Sequence, residues 1–584
     1  LKGQVIGITA EPGMGKSRLV SEAIRLCRTQ GLEGYGGACQ SDGSQTPYLV
    51  WKSIWSALFD IDPEAPLRRQ VRNLEGEVED FAPERLDSLP LLGELLGLSI
   101  PDNDFTRALE PKHRCTALEA LLLDYLKGRA KEAGAEGNGI LLVLEDIHWI
   151  DAVSRDLLER VLRAIADLPV LVVLAYRPHE SAGDLATTSG STGIETVFNS
   201  LSYFTCLRLQ DLSPQQIEQA IRAKLAQLYP EWRGVIPRLL IDRVITQAQG
   251  NPFYAEELLN YLHDRDLDLR DEKILEKVDL PSSLNSLVIS RLDQLTASEQ
   301  FTIKIASILG RVFHFEHLQG YYPELGDQGK VKTDLGNLAA LDLTPLDPAE
   351  PELAYLFKHL ITHSVAYESL PVSSRSRLHE RYANYLESKA GEETEKVLDQ
   401  LAFHYSRSEN REKKSEYLVK AGMAAQRRYA NTAAIGYFQD ALGVVESAEK
   451  PGVLLRLGQV HELLGQWDKA LASYTDSMQA AEQQGQTLDQ AHCQAALAEL
   501  ARKRGKYAEA EEWLAKAYVL FEGLGNQDGI AQVLHFKGTV ATHQGDFKTA
   551  ESFYKESHEI RKAQGDHARE ASLLSNLVAE TMTD

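Results

Sequence analysis

Short apolar runs alternate with helical patterns over the first 210 residues of the chain. Three runs, at residues 5–8, 140–144 and 170–176, are almost wholly apolar, as in strands that are buried on both faces. Residues 31–38 and 204–209 have weaker strand patterns, and amphipathic segments separate the five. This alternation predicts an α/β fold with a five-stranded parallel sheet covered by helices on both faces.

Helical spacing of apolar residues marks the segments between the strands, at residues 16–29, 47–59, 112–131 and 154–166. Residues 60–104 are leucine-rich, charged and broken by prolines, which predicts a helical insertion. A loop rich in Gly, Ser and Thr at residues 181–193 is expected to be mobile. Three further helical patterns, at residues 214–228, 236–249 and 253–263, predict an all-α lid after the sheet.

From about residue 401 the chain is helical and self-similar. A glycine followed two positions later by an aromatic residue, and three positions after that by alanine, begins at residues 465, 505 and 545, a spacing of 40. Such a period predicts stacked helix-turn-helix units that resemble tetratricopeptide repeats, with a degenerate earlier copy at residues 434–438. Residues 571–580 match the first helix of another unit, so we expect the array to continue beyond the given sequence. The concave face is expected to bind a protein or peptide.

The composition of the chain limits the classes of binding partner and the cellular compartment that we expect. The 62 basic and 85 acidic residues give a net charge of −23, which disfavours nonspecific binding to nucleic acid or anionic lipid. The five cysteines are scattered without metal-site spacing, which favours a reduced, cytoplasmic setting. No apolar run approaches the ~20 residues of a membrane helix, so a soluble protein is expected. The chain begins with Leu1, close to the first strand, which suggests a fragment of a longer protein.

The first strand leads into a glycine turn and then a helix, the context of a phosphate-binding loop. The sequence fits G-x-x-x-x-G-K-[ST] except that Ala10 stands at the first position. Gly13 and Gly15 can take positive φ and aim backbone N–H groups at one anion, which the helix N-terminus also attracts. Lys16 is expected to reach the outer phosphates of ATP or ADP, and Ser17 to ligate Mg²⁺. The candidate loop residues are Ala10, Glu11, Pro12, Gly13, Met14, Gly15, Lys16, Ser17 and Arg18.

Two acids end the buried strand at residues 140–146. Because ligands of open α/β sheets lie outside the carboxyl ends of the strands, Glu145 and Asp146 are expected beside the phosphate loop. One carboxylate would hold Mg²⁺ or its water and the other would polarise the attacking water, but the sequence leaves the two roles open. Solvated acids at a strand end are the alternative. Arg177, after the next strand, either reaches a γ-phosphate or forms a salt bridge at the strand end.

Four motifs follow one another along the chain: the phosphate loop, LEDIHWID at residues 144–151, AYRP at 175–178 and GNPFYAEEL at 250–258. Their order resembles the STAND class of AAA-like signalling ATPases. This resemblance implies that a winged helix and partner-sensing repeats follow the nucleotide domain, and residues 281–313 and 356–379 match the winged-helix parts. Pro252 is then a candidate nucleotide contact, although a helix stop followed by a start explains GNP equally well. His359 either touches the phosphates in the resting state or is a packed core residue.

The combination looks most like the region downstream of the catalytic domains in soluble-type class III adenylyl cyclases and in some bacterial Ser/Thr kinases. The 584 residues include no cyclase or kinase catalytic domain, so neither activity is expected of them. The expected domains are a P-loop ATPase core at 1–210, a helical lid at 211–280, a winged helix at 281–390 and tetratricopeptide-like repeats at 391–584.

The favoured function is a slow ATPase switch that uses ATP or ADP with Mg²⁺. A partner on the repeats and ATP would open the chain and let it self-associate, which would control an output domain outside these residues. One alternative is a repeat scaffold whose nucleotide site is structural. A DNA-binding regulator is weaker, because residues 284–346 contain no dense basic recognition helix.

Overall fold

The computed structural model describes residues 2–40, 46–63, 65–178, 198, 200–232, 235–265, 267–347 and 353–564. The predicted loop at 181–193 and the expected further unit at 571–580 lie outside these described residues. The chain divides into two compact units, Leu1–Glu409 and Asn410–Asp584. In the described ranges, no helix combines the length and the apolar composition needed to cross a bilayer.

The first unit begins with a five-stranded parallel sheet, as predicted, in the order β2-β3-β4-β1-β5. Its strands are β1 Gln4–Thr9, β2 Leu32–Ala38, β3 Gly139–Glu145, β4 Val170–Tyr176 and β5 Phe204–Arg208. The accompanying helices are α1 Lys16–Thr29, α2 Leu49–Leu58, α3 Leu67–Phe81, α4 Leu92–Leu96, α5 Asp104–Ala108, α6 Pro111–Ala135 and α7 Ala152–Ala164, with 3-10 turns at Pro83–Leu91 and Ile147–Trp149.

The core of this sheet explains why its central strands are so apolar. Residues 139–144 of β3 are all buried, because β3 lies between β2 and β4 and helices cover the sheet. Trp51 and Trp55 of α2 are fully buried in the same core. Within residues 60–104, the segments 67–81 and 83–96 are helical, as expected for a helical insertion.

A second group of helices forms the predicted lid and has its own apolar core. These helices are α8 Pro214–Leu228, α9 Arg238–Ala248, α10 Pro252–Asp264 and α11 Glu272–Lys277. Ser213 begins α8 with a capping box, in which its hydroxyl accepts from the backbone N–H of Gln216 and the Gln216 side chain accepts from the backbone N–H of Ser213.

The remainder of the first unit contains helices and a small antiparallel sheet, which is the arrangement of the predicted winged helix. The helices are α12 Leu284–Asp293, α13 Ala297–Ala306, α14 Phe315–Tyr321, α15 Gln328–Ala340, α16 Leu360–Glu368, α17 Val372–Ala390 and α18 Leu398–Ser406, with 3-10 turns at Pro323–Leu325 and Gly391–Val397. The strands β6 Val312–His314, β7 Leu346–Asp347 and β8 Ala354–Leu356 pair in the order β6-β8-β7. We refer to this sheet as the winged-helix sheet.

The second unit is a series of helix pairs, as predicted for tetratricopeptide repeats. Its helices are α19 Arg411–Arg427, α20 Asn431–Leu442, α21 Lys450–Leu463, α22 Trp467–Gln483, α23 Thr487–Lys503, α24 Tyr507–Gly523, α25 Gln527–Gln544 and α26 Phe547–Gln564, with a 3-10 turn at Ser447–Glu449. The glycines at 465, 505 and 545 have φ of 70°, 73° and 82°, which a side chain rarely adopts. Ala470, Ala510 and Ala550 are fully buried, so the period of 40 fixes both the turns and the packing.

Candidate functional site

The phosphate loop lies between the end of β1 and the start of α1. Gly13 and Gly15 have φ of 81° and 89°, so the loop contains the two left-handed residues that the motif predicts. A Cβ on Gly15 would have no atom within 4 Å, so open space borders the loop there. A Cβ on Gly13 would lie 3.0 Å from the side chain of Asn251. The loop therefore leaves room at Gly15 and is closely covered at Gly13.

Lys16, the first residue of α1, points back over the loop. Its Nζ donates to the carbonyl oxygens of Ala10 at 2.6 Å and of Glu11 at 3.0 Å. Burial, followed by the positive charge of Arg177, lowers the pKa of Lys16 below its ordinary value. Ser17 and Arg18, which follow Lys16, are exposed, whereas Ala10 and Met14 are buried.

The acid pair at the end of β3 faces two different groups. Burial raises the pKa of Glu145, although the side chain of Ser17 opposes the rise. Asp146 is in the left-handed conformation, with φ of 54°, and its Oδ2 accepts from Nη1 of Arg311 at 3.3 Å. Thus Glu145 is beside the loop serine, and Asp146 is paired with an arginine next to the winged-helix sheet.

Arg177, at the end of β4, lies close to an aromatic turn rather than to an acid. Its guanidinium carbon is 5.4 Å from the ring centre of Trp149, and the ring of His148 is 4.3 Å from that same ring. Within the described part of the chain, no carboxylate pairs with Arg177, so the expected alternative of a salt bridge is absent there. Burial, followed by the positive charges of Arg177 and Lys16, lowers the pKa of His148 to about 4.

The lid contacts the phosphate loop through the GNP segment. Asn251 caps α10, because its Oδ1 accepts from the backbone N–H of Tyr254 at 3.1 Å. Its Nδ2 donates to the carbonyl of Pro12 at 3.3 Å, and the backbone N–H of Phe253 donates to the carbonyl of Gly13, also at 3.3 Å. Pro252 is the first residue of α10. The segment is therefore both a helix start and a cover over the loop.

The segment between β8 and α16 brings a second residue, His359, to this cover. The ring of His359 lies 3.9 Å from the ring of Phe253, and burial lowers the pKa of His359 to about 4. Its Nε2 is buried and has no hydrogen-bond partner in the described residues. The backbone N–H of Phe357 donates to the carbonyl of Arg311 at 2.8 Å, so His359 and Arg311 lie on neighbouring segments. His359 is therefore packed against Phe253, and its expected contact with the phosphates stays a prediction.

Comparison with known proteins adds two family matches. A model described as an AAA ATPase domain matches residues 2–173, and one described as a tetratricopeptide repeat matches residues 451–522. The chain carries an AAA ATPase domain and tetratricopeptide repeats. The combination that the sequence motifs predicted is thereby confirmed, and nucleotide binding is the general property of the AAA domain.

Individual relatives are distant and longer than this chain. An uncharacterized protein of Rhizobium meliloti is 24% identical over 448 residues, which cover 76% of this chain and 40% of that protein. Adenylate cyclase type 10 of Rattus norvegicus is 19% identical over 413 residues, which cover 63% of this chain and 24% of that protein. The chain thus spans less than half the length of either relative.

Among solved structures, one similar protein is a Signal Transduction ATPase with Numerous Domains (STAND) protein with a tetratricopeptide repeat sensor, from Pyrococcus horikoshii. It is 14% identical, with a TM-score of 0.38, over 100% of this chain and 78% of that one. Another is a Walker-type ATPase of Pyrococcus abyssi, at 12% identity and a TM-score of 0.23, over 62% of this chain and 90% of that one.

The residues of the AAA domain fit the phosphates of a nucleotide. The loop offers a lysine and two left-handed glycines at a helix N-terminus, and the buried nitrogens of His148 are unpaired within the described ranges. The hydroxyl of Ser17 beside the carboxylate of Glu145 supplies the hard oxygen ligands that Mg²⁺ prefers. In the residues that the structure describes, no group of three or more His, Cys, Asp and Glu could hold a metal by itself, so phosphate oxygens and water would complete such a site.

Four residues of this site were missed as site residues in the sequence: His148, Asn251, Phe253 and Arg311. Three of them lie inside the motifs that carry the resemblance, and Arg311 lies in the matched winged-helix segment. Their contacts join positions far apart in the chain, such as Asp146 and Arg311, and local periodicity contains no signal for such pairs.

Proposed function

We propose that the chain is an ATP-controlled signalling switch whose winged helix closes over the AAA domain in the resting state. One observation carries this proposal: the same small part of the molecule reaches both halves of the candidate site. Arg311 pairs with Asp146 at the acid end, and His359 packs on Phe253, which covers Gly13 of the phosphate loop.

The neighbours of each residue support a division of roles. Lys16 would bind the outer phosphates, for which it would leave the carbonyls of Ala10 and Glu11. Ser17 and Glu145 would hold Mg²⁺, since both carry hard oxygen ligands and the side chain of Ser17 acts on the pKa of Glu145. Asp146 would then polarise the attacking water, and Arg177 would bind the γ-phosphate. When bound, Mg²⁺ would neutralise charge that develops on the phosphate oxygens.

In the closed state, Asp146 would be unable to polarise the attacking water. A carboxylate that accepts from Arg311 is oriented by that pair and is less available to accept a proton from water. The Phe253 cover, together with Pro252 and His359, would hold the phosphates of ADP, as expected from the unpaired Nε2 of His359. Hydrolysis would consequently be slow until the winged helix moves.

The Arg311 pair alone is too weak to hold the closed state. Shifting an equilibrium from 1:99 to 99:1 takes about 5.5 kcal/mol of differential affinity. A partly exposed ion pair contributes roughly 0.2 to 1 kcal/mol. Bound nucleotide and a protein partner on the repeats would supply the remainder, which makes the switch respond to both.

The repeats would be the part of the chain that senses a partner. Tetratricopeptide repeats mediate protein interactions in general, and we propose a protein or peptide partner here. Partner binding would favour the open chain and its self-association in the cytoplasm. Because the chain spans 24% of adenylate cyclase type 10, we propose that the switch regulates an output domain outside these residues.

The first test is nucleotide binding by the purified chain, followed with a fluorescent ATP analogue in the presence of Mg²⁺. Lys16→Ala is expected to weaken binding at least about 100-fold, because a charge-assisted contact to phosphate is lost. Lys131→Ala, which changes an exposed lysine of α6, is the control and should bind as the unmodified chain does. Equal binding by Lys16→Ala and the control would refute the proposed site.

The rate of phosphate release from ATP distinguishes the proposed switch from the alternative, a scaffold whose bound nucleotide is only structural. Asp146→Asn keeps the size of the side chain but cannot act as a base, so phosphate release is expected to fall about 100-fold or more. Unchanged phosphate release and unchanged assembly in both Glu145→Gln and Asp146→Asn would favour the scaffold.

A further inference from the structure

The ring nitrogens of His148 make no hydrogen bond that would stabilise the described part of the fold. Neither ring nitrogen contacts solvent, and neither has a hydrogen-bond partner among the described residues. A buried donor or acceptor without a partner is rare in folded proteins, because it has lost its water and gained nothing in return. Such a group indicates a missing partner.

His148 lies in a tight turn at the end of β3. Asp146 has a φ of 54°, and the N–H of Trp149 donates to the carbonyl of Asp146 at 3.0 Å. This tight turn follows β3 at once, so His148 belongs to the same strand end as the acid pair. Its ring packs against that of Trp149, with the ring centres 4.3 Å apart and the planes tilted by 42°.

The groups around His148 define what the missing partner is. Lys16 and Arg177 both act electrostatically on the imidazole, and Arg177 also lies over Trp149. Two cations and an imidazole with one N–H donor converge from the loop, the β3 turn and the end of β4. A tetrahedral anion with several acceptor oxygens satisfies all three groups at once.

We propose that His148 is a further nucleotide contact, whose ring N–H donates to the γ-phosphate of ATP beside Lys16 and Arg177. This inference rests on the proposed function, and it adds a reason for the site to prefer ATP over ADP. ADP has no phosphate at this position, so the imidazole stays unpaired when ADP is bound. His148 is thus a specificity-determining residue for the third phosphate.

The test compares the affinities for ADP and for a slowly hydrolysed ATP analogue, both with Mg²⁺, by isothermal titration. His148→Phe keeps a flat ring that can pack against Trp149 but removes both nitrogens. We expect it to weaken binding of the ATP analogue about 10-fold or more and to change ADP binding less than about two-fold. His113→Phe, the same change at an exposed histidine of α6, should alter neither affinity.

Two conservative variants report on the hydrogen bond itself. The amide of His148→Gln can replace the distal nitrogen of the ring, and that of His148→Asn can replace the proximal one. We expect one of the two to restore most of the ATP affinity, and the one that does identifies the donor nitrogen. Near-ultraviolet circular dichroism checks that the packing around Trp149 is intact.

Other results overturn the inference. Unchanged ATP affinity in His148→Phe would show that the imidazole makes no phosphate contact. An equal loss for ATP and ADP, or no restoration by either amide, would show a purely structural role. If the unmodified chain bound neither nucleotide, the proposed function itself would fail, whereas the first three results leave it standing.

Discussion

The winged-helix segment meets the rest of the first unit through two arginines that differ in character. Arg291 of α12 is almost completely buried, with its side chain 2% exposed, and it donates to Glu257 at 2.6 Å and to Asp264 at 2.9 Å. It also donates to the carbonyl of Leu341 at 2.9 Å. Arg311 has a side chain that is 33% exposed, and it makes one ion pair, with Asp146 at 3.3 Å.

We refer to the buried cluster of Arg291, Glu257 and Asp264 as the fixed joint and to the partly exposed pair of Arg311 and Asp146 as the releasable joint. Removing Arg291, the cation of this cluster, would leave the Glu257 carboxylate buried without a partner, so the cluster between α10 and α12 has to stay assembled. A partly exposed pair exchanges its partner for water at little cost. We therefore expect α10 and α12 to move as one body, while the contact of Arg311 with the acid pair opens and closes.

The largest expected effect comes from breaking the fixed joint. Arg291→Ala leaves the Glu257 carboxylate buried without its cation, which should lower the free energy of unfolding by about 3 to 5 kcal/mol. Denaturation in urea measures this change. Arg381→Ala, which breaks an exposed pair with Glu324 in the same segment, is the control and should cost less than about 1 kcal/mol. Similar losses in the two variants would remove the contrast between the two joints.

A smaller effect on the free energy of unfolding is expected from Asp264, one of the two acids of the fixed joint. Burial raises the pKa of Asp264 above its ordinary value, although Arg291 opposes the rise. The folded chain therefore binds a proton at Asp264 more readily than the unfolded chain does, so this group lowers stability as the pH rises through the shifted pKa. At pH 7, Asp264→Asn should unfold with an equal or higher free energy, by up to about 1 kcal/mol.

The free energy of unfolding of Asp264→Asn, measured across pH, shows directly whether the Asp264 carboxylate stabilises or destabilises the folded chain. The advantage of this variant over the unmodified chain should shrink as the pH falls through the raised pKa and be lost below about 3.9, the pKa of an unfolded aspartate, because the carboxyl then becomes protonated in both states. A variant that was clearly less stable at pH 7 would mean that the ion pair outweighs burial at this position.

The smallest expected effect on stability belongs to the releasable joint. Arg311→Ala should change the free energy of unfolding by less than about 1 kcal/mol, because its pair with Asp146 is partly exposed. Added salt should reduce even this difference. A loss as large as that of Arg291→Ala would make Arg311 a structural residue.

The strands and the repeats could be read from the sequence because they obey local rules. The strand β4 has the predicted bounds, since a run of only seven apolar residues that is rich in valine favours a buried strand over a helix. The repeat glycines appear where the period puts them, because each turn needs a left-handed residue. The adjacency of Glu145 to Ser17 followed from parallel strands that end at one edge.

The contacts across the candidate site could not be read in this way. Asn251 satisfies a helix start by itself, and its bond to Pro12 depends on where the lid packs. The distinct neighbours of Glu145 and Asp146 depend on Arg311, which is 165 positions from Asp146. Likewise, the isolation of the His148 nitrogens is a property of packing that its sequence neighbours do not reveal.

The release rate of a fluorescent ADP from the Mg²⁺ complex tests the central claim most directly, with Arg311→Ala compared against the unmodified chain and Arg381→Ala. If Arg311 helps to hold the winged helix closed over the site, its removal should speed release about two- to five-fold, the equivalent of a partly exposed ion pair. Arg381→Ala should leave the rate unchanged. An Arg311→Ala chain that releases ADP no faster than the unmodified chain would contradict the claim that this contact controls the nucleotide state.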